Sequence, residues 1–343
     1  MNRGGEQIAF GPIPSRRLGR SLGVNNLPAK VCTYSCVYCQ AGRTTRMKAD
    51  RRSFFPPERI LQETWRRAAI IRAASEAIDY ITFVPEGEPT LDINLEQEIL
   101  LLKELEIPVG VITNSSLLGR PEVREALYPA DWVSLKLDTV DEAIWRKINR
   151  PHRSLALPDI LDGMLAFAEG FAGKLATETM LVRDLNDETD HLKETADFIR
   201  KLNPAVSCLS LPLRPPAESW VSIPNEGNVN RAYQIFSDTL KRVECLIVYE
   251  GDAFSGTGDV EKDILGIAAV HPMREQALRA VLSRSGASWE VIERLVARGD
   301  LEETEYEGHK YFRRRTPNKS LGYGAALRNR NDHEPLDDSP GGA

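Results

Sequence analysis

The 343-residue chain is 42% hydrophobic and 27% charged, which is enough apolar material for one large core and a small satellite, without the bias of a disordered protein. Lys+Arg 44 against Asp+Glu 50 leaves a net charge of -6; this excludes a polycation that coats nucleic acid and confines any such contact to a patch. The N-terminus MNRGGEQIAFGPIPSRR has no apolar h-region and no window approaches the roughly 18 apolar residues of a membrane span, so a cytoplasmic protein with no membrane partner is expected.

Residues 1–20 read as an N-terminal extension. Across 21–266, apolar strand-like runs alternate with helix-period segments, the pattern of parallel strands joined by crossover helices. Strands are predicted at 21–24, 80–84, 109–113, 132–137, 175–182, 206–211 and 245–249. Amphipathic helices are predicted at 58–74, 95–105, 157–171, 188–202 and 229–243, the first with Ile60, Leu61, Thr64, Trp65, Ala68 and Ile71 on one stripe. Six or seven βα units follow, which makes an α/β barrel or part of one. Strand 132–137 alternates, with Val133, Leu135 and Leu137 toward helices and Ser134, Lys136 and Asp138 toward the barrel interior.

After Gly266 the alternation stops, and 267–325 reads as a separate module. Pro272 is expected to start a helix through Ala277, Leu278, Val281 and Leu282. Ser288 can N-cap a second through Val291, Ile292, Leu295 and Val296, which Gly299 ends. A hairpin turning at EGHK follows, so the module is winged-helix-like. The tail 326–343 is polar, contains Pro and Gly, and is expected to be disordered.

Of five cysteines, Cys32, Cys36 and Cys39 fall within eight residues with spacing C-x3-C-x2-C, a poor disulfide framework and a good metal framework. They follow the first strand directly, in a loop opening toward the strands' C-terminal ends, where barrel sites form. Three thiolates saturate three irons of a cubane and leave one open, whereas structural cubanes and zinc sites take four protein ligands. A zinc knob would need a fourth ligand; the nearest downstream candidate is His152, and Cys208 and Cys245 sit in strand patterns where cysteine packs as a small hydrophobe. A three-cysteine redox switch is the other alternative.

The chain resembles the radical S-adenosylmethionine (SAM) superfamily. Within it, the resemblance is to an uncharacterised iron-sulfur oxidoreductase family related to the tRNA wyosine-forming enzyme. It is carried by GPIPSRRLGRSLGVN, CVYCQAGRTT, and VYEGDAF followed by AVHPMRE, and spans roughly residues 10 to 315. It implies a partial (β/α)6-type barrel holding a [4Fe-4S] cluster on Cys32, Cys36 and Cys39, with SAM chelating the open iron and cleaved reductively to a 5'-deoxyadenosyl radical.

Tyr38 matches the aromatic position whose backbone meets adenine. Glu86, Gly87, Glu88 and Pro89 match the GGEP-type element whose carbonyls and carboxylate receive the SAM ammonium, with Glu86 where the family has Gly. Asn114, Ser134, Asp138 and Glu178 are candidates for SAM or substrate contact, or for a satisfied interior network. Lys136 matches in kind a lysine that engages pyruvate in the wyosine enzyme, for which a lowered pKa would be needed; an ion pair with Asp138 or Glu178 is the alternative. No cysteine precedes Cys32, so the second cluster of the wyosine enzyme has no counterpart.

Arg43, Arg46, Lys48, Arg51 and Arg52 follow the cysteines closely and suit a phosphate backbone or the acidic face of a flavodoxin or ferredoxin reductant. The wing carries Lys310, Tyr311, Arg313, Arg314 and Arg315, with Lys319 nearby, but the helix SWEVIERLVARGD is acidic as often as basic and argues against reading a DNA major groove. The leading expectation is an enzyme acting on a tRNA nucleoside or other macromolecule. Its variant acts on a peptide or small metabolite, and the rival from another class is an iron-sulfur redox regulator that binds DNA through the winged helix.

Overall fold

The computed structural model describes residues 7–15, 17–246 and 259–315. In chain order these form β1 (Ala9–Ser15), β2 (Gly19–Val24), β3 (Val31–Cys32), β4 (Arg46–Met47), α1 (Pro57–Ala73), β5 (Tyr80–Phe83), a 3-10 turn (Pro89–Leu91), α2 (Leu95–Lys103) and β6 (Val109–Thr113). There follow α3 (Pro121–Leu127), β7 (Trp132–Lys136), α4 (Glu142–Ile148), α5 (Leu157–Gly170), β8 (Lys174–Met180), α6 (Thr189–Leu202), β9 (Val206–Ser210), α7 (Glu226–Thr239) and β10 (Val243–Leu246). The remainder is α8 (Val260–Val270), β11 (Met273–Arg274), α9 (Glu275–Ser285), α10 (Glu290–Ala297), β12 (Leu301–Tyr306) and β13 (His309–Arg314).

Eight strands form one sheet in the order β1-β2-β5-β6-β7-β8-β9-β10. β2 through β10 run parallel, while β1 pairs antiparallel with β2 at one edge. The sheet curls into a partial barrel. Its two faces separate by residue parity. Val133, Leu135 and Leu137 join the large core beneath the helices, whereas Trp132 closes the inner face with Leu18, Ala176, Val206, Cys208 and Leu246. Parallel register then sets Ser134 beside Ala176 and Lys136 beside Glu178, all inward.

Several expectations shift. Residues 9–15, assigned to an extension, are an edge strand of the sheet; Gly23 makes room for it, since a Cβ there would stand 2.2 Å from the Phe10 ring. In α1 the stripe is Ile60, Thr64, Arg67, Ala68 and Ile71, and Trp65 is 59% exposed. Arg67 takes the buried place because its guanidinium donates to Asp263 at 2.5 Å and to Gly11 O. The short helices α3 and α4 were not anticipated.

The chain from α8 onward buries its own apolar cluster, including Ile264, Leu278, Ile292 and Phe312. α8 crosses the boundary expected at 266, and the stretch expected to open a helix at Pro272 instead places β11 against β13 before α9 begins. Ser288 bonds the Glu290 carboxylate and does not cap α10. The hairpin of β12 and β13 turns at Glu307 and Gly308, both with positive φ, the twist a two-residue hairpin needs. Arg16, VYEGDAF, Lys319 and the tail lie outside the described residues, as does most of the strand expected at 245–249.

Candidate active site

The cysteine loop is pinned at both ends by a two-rung ladder. β3 pairs with β4, joining Val31 to Arg46 and Cys32 to Met47, and Lys48 N donates to Cys32 O at 3.0 Å. Between those rungs the chain makes tight turns, Cys39 N to Cys36 O at 3.1 Å and Gly42 N to Cys39 O at 2.9 Å, with Gly42 at φ 88. Val37 and Tyr38 anchor the loop in an apolar cluster with Ile144, Ile148, Met180, Val182 and Val221. All three cysteines are half-buried.

Two side-chain amides reach the sulfurs. Asn114 Nδ2, at the end of β6, lies 3.5 Å from Cys32 Sγ and 2.8 Å from Thr33 Oγ1. Asn149 Nδ2, just after α4, lies 3.5 Å from Cys36 Sγ and 2.7 Å from Asp138 Oδ2. Burial, then Asp138, pushes the Cys36 thiol up to about 12, and burial with Glu88 raises Cys32 as well, so neither is a free nucleophile.

The EGEP segment lies against the same strand. Lys30 N donates to Glu86 O at 2.7 Å, and its ammonium pairs with the Glu86 carboxylate at 3.6 Å. Gly87 is required by contact, because a Cβ would stand 2.0 Å from Val31 O. Glu88, buried, accepts from Thr90 N, Thr90 Oγ1, Thr113 Oγ1 and Asn114 N at 2.6 to 3.1 Å. Its carboxylate organises the end of β6. Pro89 contributes its carbonyl to Asn26 Nδ2 at 3.2 Å.

A polar network fills the upper barrel. Tyr38 OH donates to Asp138, which also accepts from Met180 N at 3.0 Å. Lys136 Nζ sits 4.8 Å from the Tyr38 ring centroid and 3.2 Å from Glu178 Oε1. Glu178 also receives Arg17 and Ser210. Burial would lower the Lys136 ammonium, but Glu178 and Asp138 outweigh it and hold the pKa above its ordinary value. The lysine is a fixed cation and not an amine readied for Schiff-base chemistry. Tyr34, Tyr38, Asn114, Lys136, Asp138 and Asn149 line a small cavity.

The structure thus brings together the three cysteines, Tyr38, the EGEP segment, Asn114, Lys136, Asp138 and Glu178. Ser134 lies lower in the barrel, fully buried, and its hydroxyl has no protein partner. Asn149, Arg17 and Ser210 were not anticipated. Among the described residues no three His, Cys, Asp or Glu side chains converge as they would on a single metal ion. Three sulfurs on one loop, two of them facing amide donors, are a donor set that fits a cubane, whose thiolate sulfurs take hydrogen bonds from their surroundings.

The profile of the radical SAM superfamily matches residues 26–199. The chain belongs to the radical SAM superfamily, whose members use SAM with a [4Fe-4S] cluster in radical enzymes. It is 44% identical over 307 residues to a UPF0026 protein of Methanocaldococcus jannaschii, covering 89% of this chain and 95% of that one. The fold resembles a radical SAM methyltransferase from Sphaerobacter thermophilus, with TM-score 0.50, 15% identity and 66% of each chain covered. TYW1 with a lysine-pyruvate adduct bound gives TM-score 0.48 at 14% identity, over 64% of this chain and 74% of that one. No helix among the described residues is long and apolar enough to cross a membrane.

Proposed function

We propose that Cys32, Cys36 and Cys39 hold a [4Fe-4S] cluster whose fourth iron binds SAM. The contacts of Asn114 and Asn149 with the sulfurs of Cys32 and Cys36 carry this reading, because amide N–H groups within reach of sulfur suit thiolate ligands. When bound, the reduced cluster supplies the electron that cleaves SAM to methionine and a 5'-deoxyadenosyl radical. The protein's share is placement. Gly87 keeps the EGEP backbone close to β3, Glu88 fixes Asn114, and Asp138 orients Tyr38 and Asn149. Lys136 and Arg17 hold Glu178 ionised in the barrel interior, facing the substrate.

The reductant is a flavodoxin or ferredoxin. Arg43 is occupied by Glu218 and Arg51 by the carbonyls of Thr90 and Asp92, but Arg46, Lys48 and Arg52 are exposed on or beside the strand that pairs with the Cys32 strand, where an acidic donor would dock. The catalytic domain is the barrel of β2 to β10 together with its edge strand β1, and the described auxiliary domain runs from α8 to Arg315. The order helix, strand, helix, helix, strand, strand supports a winged helix.

Its charges are largely matched internally, Lys310 with Glu303, Arg313 with Glu302, and Arg294 and Arg298 with Glu261, which speaks against a DNA-binding regulator. The substrate is a tRNA nucleoside or another macromolecule presented at the barrel mouth in a reducing cytoplasm. The same charge matching favours, as the second reading, a peptide or small metabolite.

The test is anaerobic: reconstitute with iron and sulfide, reduce with dithionite, and assay 5'-deoxyadenosine. The expected result is product from the parent protein, and neither iron nor product from Cys36→Ala. Absence of product from the parent, or SAM turnover by the variant, would overturn the assignment.

A further inference from the structure

AVHPMRE, the C-terminal motif, lies outside the network just described, yet its histidine reaches the cysteine loop. His271 follows α8, is buried, and its Nε2 lies 3.0 Å from Arg214 Nη2. A guanidinium only donates, so Nε2 is the acceptor and the ring proton sits on Nδ1. Burial, then the Arg214 charge, pushes His271 well below its ordinary range, consistent with a neutral ring. From Arg214, Nη1 donates onward to Gln40 Oε1 at 3.2 Å, and Gln40 is the residue after Cys39.

The surroundings make this more than a chance surface contact. Arg214 leaves a loop that the C-terminal module grips directly, with Tyr306 OH donating to Pro212 O at 2.6 Å and Tyr311 OH to Leu213 O at 2.9 Å. The same module packs the Arg313 guanidinium on Gly42, at the far side of the turn that begins at Cys39. Module, post-β9 loop and cysteine loop therefore meet at one guanidinium.

We propose that His271 is a positioning residue: through Arg214 and Gln40 it holds the Cys39 end of the cysteine loop, so that docking of the C-terminal module sets the geometry of the cluster site. The cluster part of this statement rests on the function proposed above; the loop-holding part does not. If His271 only filled space, any residue of its volume would serve. If it works as an acceptor, Gln will substitute and Ala will not.

The experiment uses the metal-free full chain, measuring alkylation of Cys39 by iodoacetamide with mass spectrometry and Cys245 as internal control. His271→Ala is expected to speed Cys39 alkylation roughly tenfold, the order of one hydrogen bond from a charged donor. His271→Gln should restore the parent rate, Gln40→Leu should reproduce the Ala effect, and the double variant should be no faster than either single one. After reconstitution, His271→Ala should keep its iron while the electron paramagnetic resonance of the reduced cluster stops responding to added SAM, a response that Gln recovers. An unchanged Cys39 rate in His271→Ala, an equal rise at Cys245, or failure of Gln to restore the rate sinks the proposal. Failure of the parent protein to take up iron would sink the cluster assignment and leave the alkylation result standing.

Discussion

Arg17, on the turn between β1 and β2, donates across the barrel to Glu178 in the middle of β8. Burial alone would raise the Glu178 carboxyl, but Arg17 and then Lys136 overcome it and hold it at about 2. A carboxyl held below its ordinary 4.5 adds stability above that value and loses it as pH falls toward 2. Glu178→Gln should therefore flatten the acid limb of the melting-temperature profile below pH 4.5, while Arg17→Met, which leaves Glu178 to Lys136 and Ser210, should cost about 1 to 3 kcal/mol at pH 7. Melts between pH 3 and 7 check both; superimposable profiles for parent and Glu178→Gln would exclude this role for the pair.

Gly87 gives a sharper separation of assembly from chemistry. A methyl group there meets Val31 O on one side and Leu27 on the other, so the EGEP backbone must move away from the strand that carries Cys32. The three cysteines are untouched, and Gly87→Ala should load iron normally. Its rate of 5'-deoxyadenosine formation should fall by about 10- to 100-fold, the cost of displacing a positioned group by a fraction of an ångström to an ångström. Parent-like turnover would show that the close approach of Gly87 to β3 has no bearing on SAM.

What was legible in the sequence had a local signature. The alternation of 132–138 gave the inward set Ser134, Lys136 and Asp138 because a strand's period is two, and the cysteine spacing is contained in a single loop. Asn149 had no such mark: in NRPH it reads as a helix stop, and only the fold carries it to Cys36 and Asp138. Arg67 joins the buried stripe through Asp263, a partner 196 positions away that no local pattern could show. β1 was missed because Gly11, Pro12 and Pro14 argue against a strand, a rule that relaxes at a sheet edge, where a missing donor faces no neighbour.

Glu98, fully buried on α2, is raised to about 9 by burial and then by Asp92, with Asn26 Nδ2 at 3.1 Å only partly offsetting them. A folded-state value above the ordinary 4.5 means that folding takes up a proton, so this group's contribution is complete below pH 4.5 and is lost as pH rises toward 9. Glu98→Gln removes that dependence, keeps an acceptor for Asn26, and puts a neutral amide in place of Glu98 Oε1, which lacks a protein partner. It should stabilise the protein by about 1 to 3 kcal/mol at pH 7 and by more at pH 8. Urea titrations at pH 5, 7 and 8 check this; a variant less stable than the parent at pH 8 would mean that Glu98 is ionised in the fold.

Arg67 and Asp263 join α1 of the barrel to α8 of the C-terminal module, with side chains 7% and 1% exposed. Arg67 also donates to Gly11 O in β1, so one guanidinium ties the edge strand, the first helix and the module together. Desolvating two charges costs nearly what their attraction returns, but removing one partner leaves the other buried without compensation. Asp263→Leu or Arg67→Met alone should therefore lower stability by about 3 to 5 kcal/mol, whereas the double variant combining the two should recover a large part of that loss. Equilibrium unfolding of the parent, the two single variants and the double variant gives the coupling directly. If the two single losses simply add in the double variant, the ion pair is not what couples α8 to the barrel, and the apolar contacts of Ile264 and Ile267 must carry the docking instead.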